Sequence, residues 1–263
     1  MLKAPFNLSR ARVLLTNDDG INAPGLMLLE EVVRPLVHEL IVVAPEHEQS
    51  GSSHTVTMRH PLRLRDAGSG HYAVDGTPPD CVIMGVRHVM KDNPPDIVLS
   101  GINRGDNMGE RVHYSGTLAA CFEAGLIGIP AIGFSQYRQW GHHPNYDAAR
   151  HWLGPVLKKL LSVSWTEGSF MSVNFPLVED GKVKGVRATR LGRQHMTELT
   201  PGTDPRGLPY YWNNRATDLT NAIDAGLDTD IGAVQAGYIA VSPIAIDPTH
   251  HASLEAMNEV LSS

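Results

Sequence analysis

Apolar runs and amphipathic segments alternate along the first 190 residues. Continuous stretches of apolar and β-branched residues predict buried strands at 13–16, 40–44, 95–99, 131–134 and 171–175. Apolar residues at helical spacing predict helices at 25–37, 78–90, 118–126 and 146–161. Because strands that alternate with helices form parallel sheets covered on both faces, we expect an α/β fold with a Rossmann-like, three-layer αβα arrangement and a mostly parallel sheet.

Local signals add detail to this arrangement. Asn22 is expected to cap the first helix, because a short polar side chain stands just before the periodic segment. Thr77 followed by Asp80 predicts a capping box at the second helix. Residues 62–65 and 71–74 are predicted to pair as antiparallel strands.

The pattern changes after residue 190. Residues 192–229 are polar, proline-bearing and aromatic in patches, which predicts an extended arm or hairpin rather than core. A strand is predicted at 236–246, and an amphipathic helix at 253–261 is too short to be stable unless it docks elsewhere. We therefore expect one domain over 1–263, in which the core takes up about 1–190 and 236–250, the arm about 191–235 and the terminal helix about 251–263.

Composition and charge exclude several classes of protein. The chain has 263 residues, of which 42% are hydrophobic, enough for a substantial core. Its net charge is −6 and it has no basic cluster, so we expect no binding to nucleic-acid polymers. No stretch reaches the roughly 18 uncharged apolar residues of a membrane span, and residues 1–10 lack the apolar run of a signal peptide. Cys81 and Cys121 fall in predicted helices, which favours free thiols and a cytoplasmic location.

Two adjacent carboxylates, Asp18 and Asp19, directly follow the first predicted strand. The carboxyl ends of parallel strands are where open α/β sheets bind ligands, and loops carrying Ser50, Asn103 and Asn107 follow other strands at that edge. Paired acids repel each other unless a cation or a proton intervenes. Carboxylate, hydroxyl and amide oxygens are hard ligands, so the sequence predicts a site for Mg or Mn rather than zinc.

The segment Ser115-Gly116-Thr117 begins a predicted helix after a glycine-bearing loop. Helix amino ends present free N–H groups and the positive end of the helix dipole, so they bind phosphate. A cation beside such a helix end indicates phosphate-ester chemistry. Each element alone also has an ordinary structural interpretation, as a turn, a cap or a loop hydroxyl, and their shared location favours a site.

Several ordered motifs together resemble the family of the stationary-phase survival protein SurE. They lie at 14–25, 43–45 with 49–51, 75–82, 100–105 with Asn107, and 114–117, with further matches at 229–230 and 237–238. The resemblance covers nearly the whole chain, although 247–251 match no motif of the family.

The resemblance implies a divalent-metal-dependent 5′-nucleotidase, a phosphomonoesterase that hydrolyses nucleoside 5′-monophosphates to nucleoside and phosphate. It implies one Mg or Mn ion per subunit, and its ligands correspond here to Asp18, Asp19, Ser50 and Asn103. The family places Asn107 and the Ser115-Gly116-Thr117 turn around the phosphate. It also implies a homodimer or homotetramer, formed through the arm and an exchanged, or swapped, terminal helix.

The residues leave the mechanism partly open. Our hypothesis is that a metal-activated water attacks phosphorus in line, while Asp18 or Asp19 orients it or accepts its proton. A covalent aspartyl-phosphate on Asp19 is the less favoured route. Alternative classes are a phospho-accepting receiver module, which needs a third acid after a central strand, and a non-catalytic nucleotide-binding scaffold. The sequence does not determine base or sugar preference, side activity on 3′-nucleotides or polyphosphate, the physiological metal, or dimer against tetramer.

Overall fold

A computed structural model describes residues 2–139, 145–179, 182–194, 197–215 and 222–262. The strands are β1 Arg12–Thr16, β2 Glu39–Pro45, β3 Leu64–Gly68, β4 His71–Val74, β5 Ile97–Arg104, β6 Ala131–Gln136, β7 Ser169–Phe175, β8 Val186–Ala188, β9 Arg193–Gln194, β10 Thr197–Thr203, β11 Pro209–Arg215, β12 Ala222–Asp224 and β13 Ile239–Ala245. The α-helices are α1 Pro24–Val33, α2 Pro78–Met84, α3 Gly116–Ile127, α4 Asp147–Leu161, α5 Asp230–Gln235 and α6 His251–Leu261.

A nine-stranded sheet has the order β3-β4-β2-β1-β5-β6-β7-β13-β8. The strands from β4 to β7 in this order all run parallel. Antiparallel pairing occurs where β3 joins β4 and where β13 joins β7. The predicted α/β class with a mostly parallel sheet is therefore confirmed, and the antiparallel additions lie towards the two edges.

Helices cover both faces of this sheet. Side chains of α1 and α4 pack on one face with Val13 and Leu15, whereas α2 and α3 pack on the other face with Leu14. Successive residues of β1 thus point to opposite faces of the sheet, and Val13, Leu14 and Leu15 are all fully buried. This burial on both sides explains why the first strand is a continuous apolar run.

Several element boundaries differ from the sequence predictions. The prediction that Asn22 caps α1 is wrong, because Ala23 occupies the N-cap position and no side chain caps the helix. The helix ends at Val33 and a 3₁₀ turn follows, so it is shorter than predicted. The second predicted helix ends as α-helix at Met84 and continues as a π-helical segment to Val89. The capping box of Thr77 and Asp80 is confirmed.

The region after residue 190 contains a hairpin, as predicted. Strands β10 and β11 pair antiparallel. The hairpin that they form with their connecting turn carries exposed apolar side chains: Leu199, Leu208, Tyr210, Tyr211 and Trp212. The predicted arm range also includes α5, whose Ile231 and Val234 are buried against Met108 and Ala240. The sequence patterns gave no indication of this small helix.

The terminal helix α6 has no buried residue. Its apolar side chains Leu254, Met257, Val260 and Leu261 are all exposed. Elsewhere, Cys81 and Cys121 are buried free thiols, as predicted. Across the described ranges, no helix has the length and apolar character needed to cross a membrane.

Candidate active site

The candidate site lies at the carboxyl ends of β1, β2 and β5. Strand β1 has β2 on one side and β5 on the other, so the chain reverses its direction across the sheet at β1. Such switch points leave a crevice beyond the strand ends. The turn after β1 is tight: the side chain of Asn17 donates to the carbonyl oxygen of Gly20 at 2.9 Å, and Gly20 has a φ of 98°. This turn presents Asp18 and Asp19.

Asp18 occupies the closed side of the site, with 4% of its surface exposed. The hydroxyl of Thr117 donates to Oδ1 of Asp18 at 2.6 Å. Ser115 caps α3 by accepting the N–H of Leu118 at 3.0 Å. A Cβ at Gly116 would lie only 2.8 Å from Cβ of Asp18, so this position requires glycine. The first acid is thereby fixed against the amino end of α3.

Asp19 occupies the open side. Its Oδ2 accepts the backbone N–H of Arg104 at 2.9 Å, and its Oδ1 lies 3.8 Å from Nε of the same residue. The guanidinium of Arg104 also donates to Oε1 of Glu48 at 2.9 Å. Ser50 donates to that same oxygen at 2.8 Å. A chain of contacts therefore joins Ser50 to the second acid.

The two acids have unusual protonation equilibria. Burial, and then the charge of Asp19, raise the pKa of Asp18 to about 7, although the bond from Thr117 opposes this shift. Burial also raises the pKa of Asp19, against the backbone bond and the charge of Arg104. At neutral pH the pair therefore holds a proton part of the time, and a cation could take the place of that proton.

Two asparagines lie farther along the same edge. Asn103 donates its amide N–H to the carbonyl oxygen of Gly105 at 3.0 Å, and this bond does not use its amide oxygen. The predicted loop position of Asn103 is wrong, because β5 extends through it to Arg104. Asn107 donates its side-chain amide to Oγ of Ser135 at 2.8 Å, and its backbone N–H to Oδ1 of Asn174 at 2.9 Å.

Buried contacts also fix the loop that carries Ser50. Asp80 at the start of α2 accepts the backbone N–H of Thr57 at 3.0 Å. The hydroxyl of Thr77 donates to the carbonyl oxygen of Thr55 at 2.6 Å. The capping box of α2 thus also anchors the far end of this loop.

The donor set suits a hard cation. Asp18, Asp19, Ser50 and Asn103 offer two carboxylates, a hydroxyl and an amide oxygen, which match the ligand preference of Mg and Mn. In the part of the chain that is described, no three His, Cys, Asp or Glu side chains cluster in a way that could hold a metal. A cation here would therefore rely on the neutral oxygens and on water.

The structure brings some predicted site residues into contact and leaves others apart. Asp18 contacts Gly116 and Thr117, whereas the hydroxyl of Ser50 is linked to Asp19 through Glu48 and Arg104. The backbone N–H of the adjacent Gln49 donates to the carbonyl oxygen of Asp18 at 2.7 Å. Sequence reasoning missed four residues of this network: Arg104, Glu48, Ser135 and Asn174. Arg104 stood inside the motif at 100–105 and Glu48 between the matches at 43–45 and 49–51, but nothing local distinguished Ser135 or Asn174 from other strand residues.

The fold and the site define an open α/β protein with an acidic, oxygen-rich crevice at its topological switch point, next to a helix amino end. The family model described as "Survival protein SurE" matches residues 13–198. The chain belongs to this SurE family.

Similar proteins cover almost the whole chain. "5′-nucleotidase SurE" of Paramagnetospirillum magneticum is 45% identical over 252 residues, which are 95% of both chains. "5′-nucleotidase SurE" of Parvibaculum lavamentivorans is 42% identical over 254 residues, covering 95% of this chain and 91% of the relative. The crystal structure of the SurE protein from Aquifex aeolicus matches with a TM-score of 0.82 and 34% identity, over 95% of this chain and 99% of that one.

Proposed function

We propose that this chain is a metal-dependent 5′-nucleotidase that hydrolyses nucleoside 5′-monophosphates to nucleoside and phosphate. The names of its relatives supply the reaction. The observation that carries the proposal is the bond from Thr117 at the start of α3 to Asp18. Through this bond a candidate cation ligand and a phosphate-binding helix end belong to one rigid unit.

The candidate ligands of the cation are Asp18, Asp19, Ser50 and Asn103, with Mg or Mn as the ion. A divalent cation bound there would polarise a phosphoryl oxygen and lower the pKa of a water molecule. The donor set supports this assignment because all four side chains offer oxygen, and two of them carry negative charge at the carboxyl edge of the sheet.

The chain's own residues perform the remaining tasks. The amino end of α3, with the positive end of the helix dipole, would hold the phosphate, and Asn107, fixed by Ser135, would donate to its developing charge. Asp18 is committed to Thr117, whereas Oδ1 of Asp19 makes a long contact of 3.8 Å with Nε of Arg104. We therefore assign to Oδ1 of Asp19 the acceptance of the proton from the attacking water.

The receiver-module alternative lacks its key residue. Such a module needs an acid at the carboxyl end of a central strand, and β5 ends in Asn103 and Arg104 instead. An assay of phosphate release from AMP distinguishes a non-catalytic scaffold from the enzyme, because only the enzyme releases phosphate.

The test measures phosphate released from AMP after the protein has been stripped of metal. We expect release with Mn²⁺ or Mg²⁺ and none with a chelator. Asp19→Asn should lower the rate by at least about 1000-fold, because it removes a charged ligand and the proton acceptor together.

The matched control is Asp92→Asn, which changes an exposed acid just before β5. It should keep the full rate. Unchanged turnover in a folded Asp19→Asn variant would refute the site. If the metal-loaded wild type binds AMP but releases no phosphate, the non-catalytic scaffold would be favoured. Trapping of a phosphorylated Asp19 would replace the water route by the covalent one.

We also infer assembly into a homodimer or homotetramer in the cytoplasm. What supports assembly is exposed apolar surface: the aromatic hairpin of β10 and β11, and the α6 helix, which buries none of its side chains. A terminal helix of this kind gains stability by docking on a second subunit, as in a swapped arrangement. The free thiols of Cys81 and Cys121 are consistent with a reducing compartment. The net charge of −6 gives no support for binding of nucleic-acid polymers.

A further inference from the structure

Arg104 is a cationic side chain that contacts Asp19 of the acid pair. Its side chain is 42% exposed at the mouth of the crevice, whereas that of Asp19 beneath it is 8% exposed. Its backbone N–H makes a good hydrogen bond to Oδ2 of Asp19 at 2.9 Å, which does not depend on the side chain. The guanidinium approaches Oδ1 of Asp19 only to 3.8 Å. This second contact is weak and can be released at small cost.

Glu48 anchors the other end of the guanidinium. Nη2 of Arg104 donates to Oε1 of Glu48 at 2.9 Å, and Ser50 donates to the same oxygen. This anchor keeps the guanidinium beside the crevice when the contact with Asp19 breaks.

The charges in the crevice explain what the guanidinium could do. Without a cation, Arg104 partly offsets the negative charge of Asp19. Once a divalent cation occupies Asp18 and Asp19, that role is taken over, and a free guanidinium face remains at the entrance. Guanidinium groups bind phosphate oxygens with two parallel hydrogen bonds, which makes arginine well suited to a phosphomonoester.

We propose that the guanidinium of Arg104 exchanges Asp19 for the phosphate group of the substrate. Before the cation binds, the guanidinium competes with it for Asp19. After the cation has bound, the guanidinium holds the phosphate of the nucleotide. This inference rests on the proposed 5′-nucleotidase function. It predicts two opposite effects of one substitution. Loss of the side chain should strengthen cation binding, because a competing positive charge disappears, and it should weaken substrate binding, because a phosphate ligand disappears.

The experiment compares wild type with Arg104→Ala. Calorimetry of Mn²⁺ binding to the metal-free protein should show about two- to fivefold tighter binding in the variant, the range expected for an exposed ion pair. The KM for AMP with saturating Mn²⁺ should rise about tenfold or more, as expected for a lost hydrogen bond to a charged group. Arg104→Lys should recover part of this KM because it keeps the charge but not the paired geometry.

The matched control is Arg150→Ala. Arg150 is a similarly exposed arginine on α4 that pairs with Glu31 at 2.8 Å, so its loss changes the net charge equally. It should leave both quantities unchanged. The exchange would be overturned if Arg104→Ala kept the wild-type KM for AMP, or if it bound Mn²⁺ no more tightly than the wild type. It would also be overturned if Arg104→Lys had the same KM as Arg104→Ala.

The two proposals fail in different ways. A wild-type protein that does not hydrolyse AMP with Mn²⁺ would refute the proposed function. The calorimetry would still test the competition at Asp19 in that case. A wild type that hydrolyses AMP, with an Arg104→Ala variant of unchanged KM, would refute the exchange alone.

Discussion

The two acids of the site are neighbours in the chain but lie in different surroundings. Asp18 is buried against α3, where Thr117 and the glycine at 116 fix its position. Asp19 faces the mouth of the crevice, where Arg104 and Glu48 are exposed and able to rearrange. The closed side therefore has a single arrangement that any added atom disturbs. On the open side, the side chain of Arg104 can change its partner when a cation binds the acid pair. This difference assigns positioning to Asp18 and exchange of partners to Asp19.

Among the variants that test this contrast between the two acids, the largest effect is expected from Gly116→Ala, which disturbs the closed side. The added Cβ would lie 2.8 Å from Cβ and 3.0 Å from Oδ2 of Asp18, so the acid or the helix must move. We expect a loss of about 1–3 kcal/mol in the free energy of unfolding. Hydrolysis of AMP should fall by about 100-fold or more, because a misplaced ligand disturbs the reacting geometry.

Gly154→Ala is the matched control for this change. Its Cβ would meet Val32 of α1 at 3.7 Å, an ordinary contact between α4 and α1. The usual gain from alanine in a helix interior is opposed by crowding against the following Pro155, so stability should change by no more than about 1 kcal/mol and the rate should stay the same. Full activity in Gly116→Ala would show that the closed side tolerates rearrangement, and the contrast between the two acids would then be lost.

A smaller effect is expected from Thr117→Val, which keeps the shape of the side chain but removes its hydroxyl. Oδ1 of the buried Asp18 then loses its 2.6 Å bond, which should cost about 1–3 kcal/mol of stability in the metal-free protein. We expect hydrolysis to fall about tenfold. Urea unfolding and the rate of phosphate release measure the two quantities.

Thr189→Val provides the comparison for this variant. Thr189 is also buried, and its hydroxyl bonds to that of Ser242 at 2.9 Å, outside the crevice. This variant should lose stability without losing activity. Equal activity in the two valine variants would mean that the hydroxyl of Thr117 supports only the fold.

The smallest effect is expected on the open side, from Ser50→Ala. The side chain is exposed and bonds to the exposed Glu48, so stability should change by no more than about 0.5 kcal/mol. Mn²⁺ affinity should fall about two- to tenfold, since water can replace a neutral oxygen ligand. The variant Ser53→Ala, whose hydroxyl bonds to the carbonyl of His113, should bind Mn²⁺ as the wild type does. Unchanged Mn²⁺ affinity in Ser50→Ala would remove Ser50 from the ligand set.

Much of the fold could be predicted because its signals are local. The apolar run at 13–16 and the capping box of Thr77 and Asp80 depend on neighbouring residues, so the pattern contains the whole cause. The short α5 helix could not be predicted this way. It is stabilised by tertiary contacts: Asp230 accepts the N–H groups of Gly109 and Gly192 at 2.9 and 2.7 Å, and Ile231 packs against Met108.

The same division applies to the candidate site. The sequence by itself determined that two acids follow β1, that a helix begins at Ser115-Gly116-Thr117, and that the strand ends would bring them to one edge. Only the tertiary structure decided which acid is closed and which is open. The deciding contacts join residues far apart in the chain, with a sequence separation of 99 for Asp18 and Thr117 and of 56 for Glu48 and Arg104. Such pairings depend on how the strands and helices pack, and no local pattern of apolar and polar residues records them.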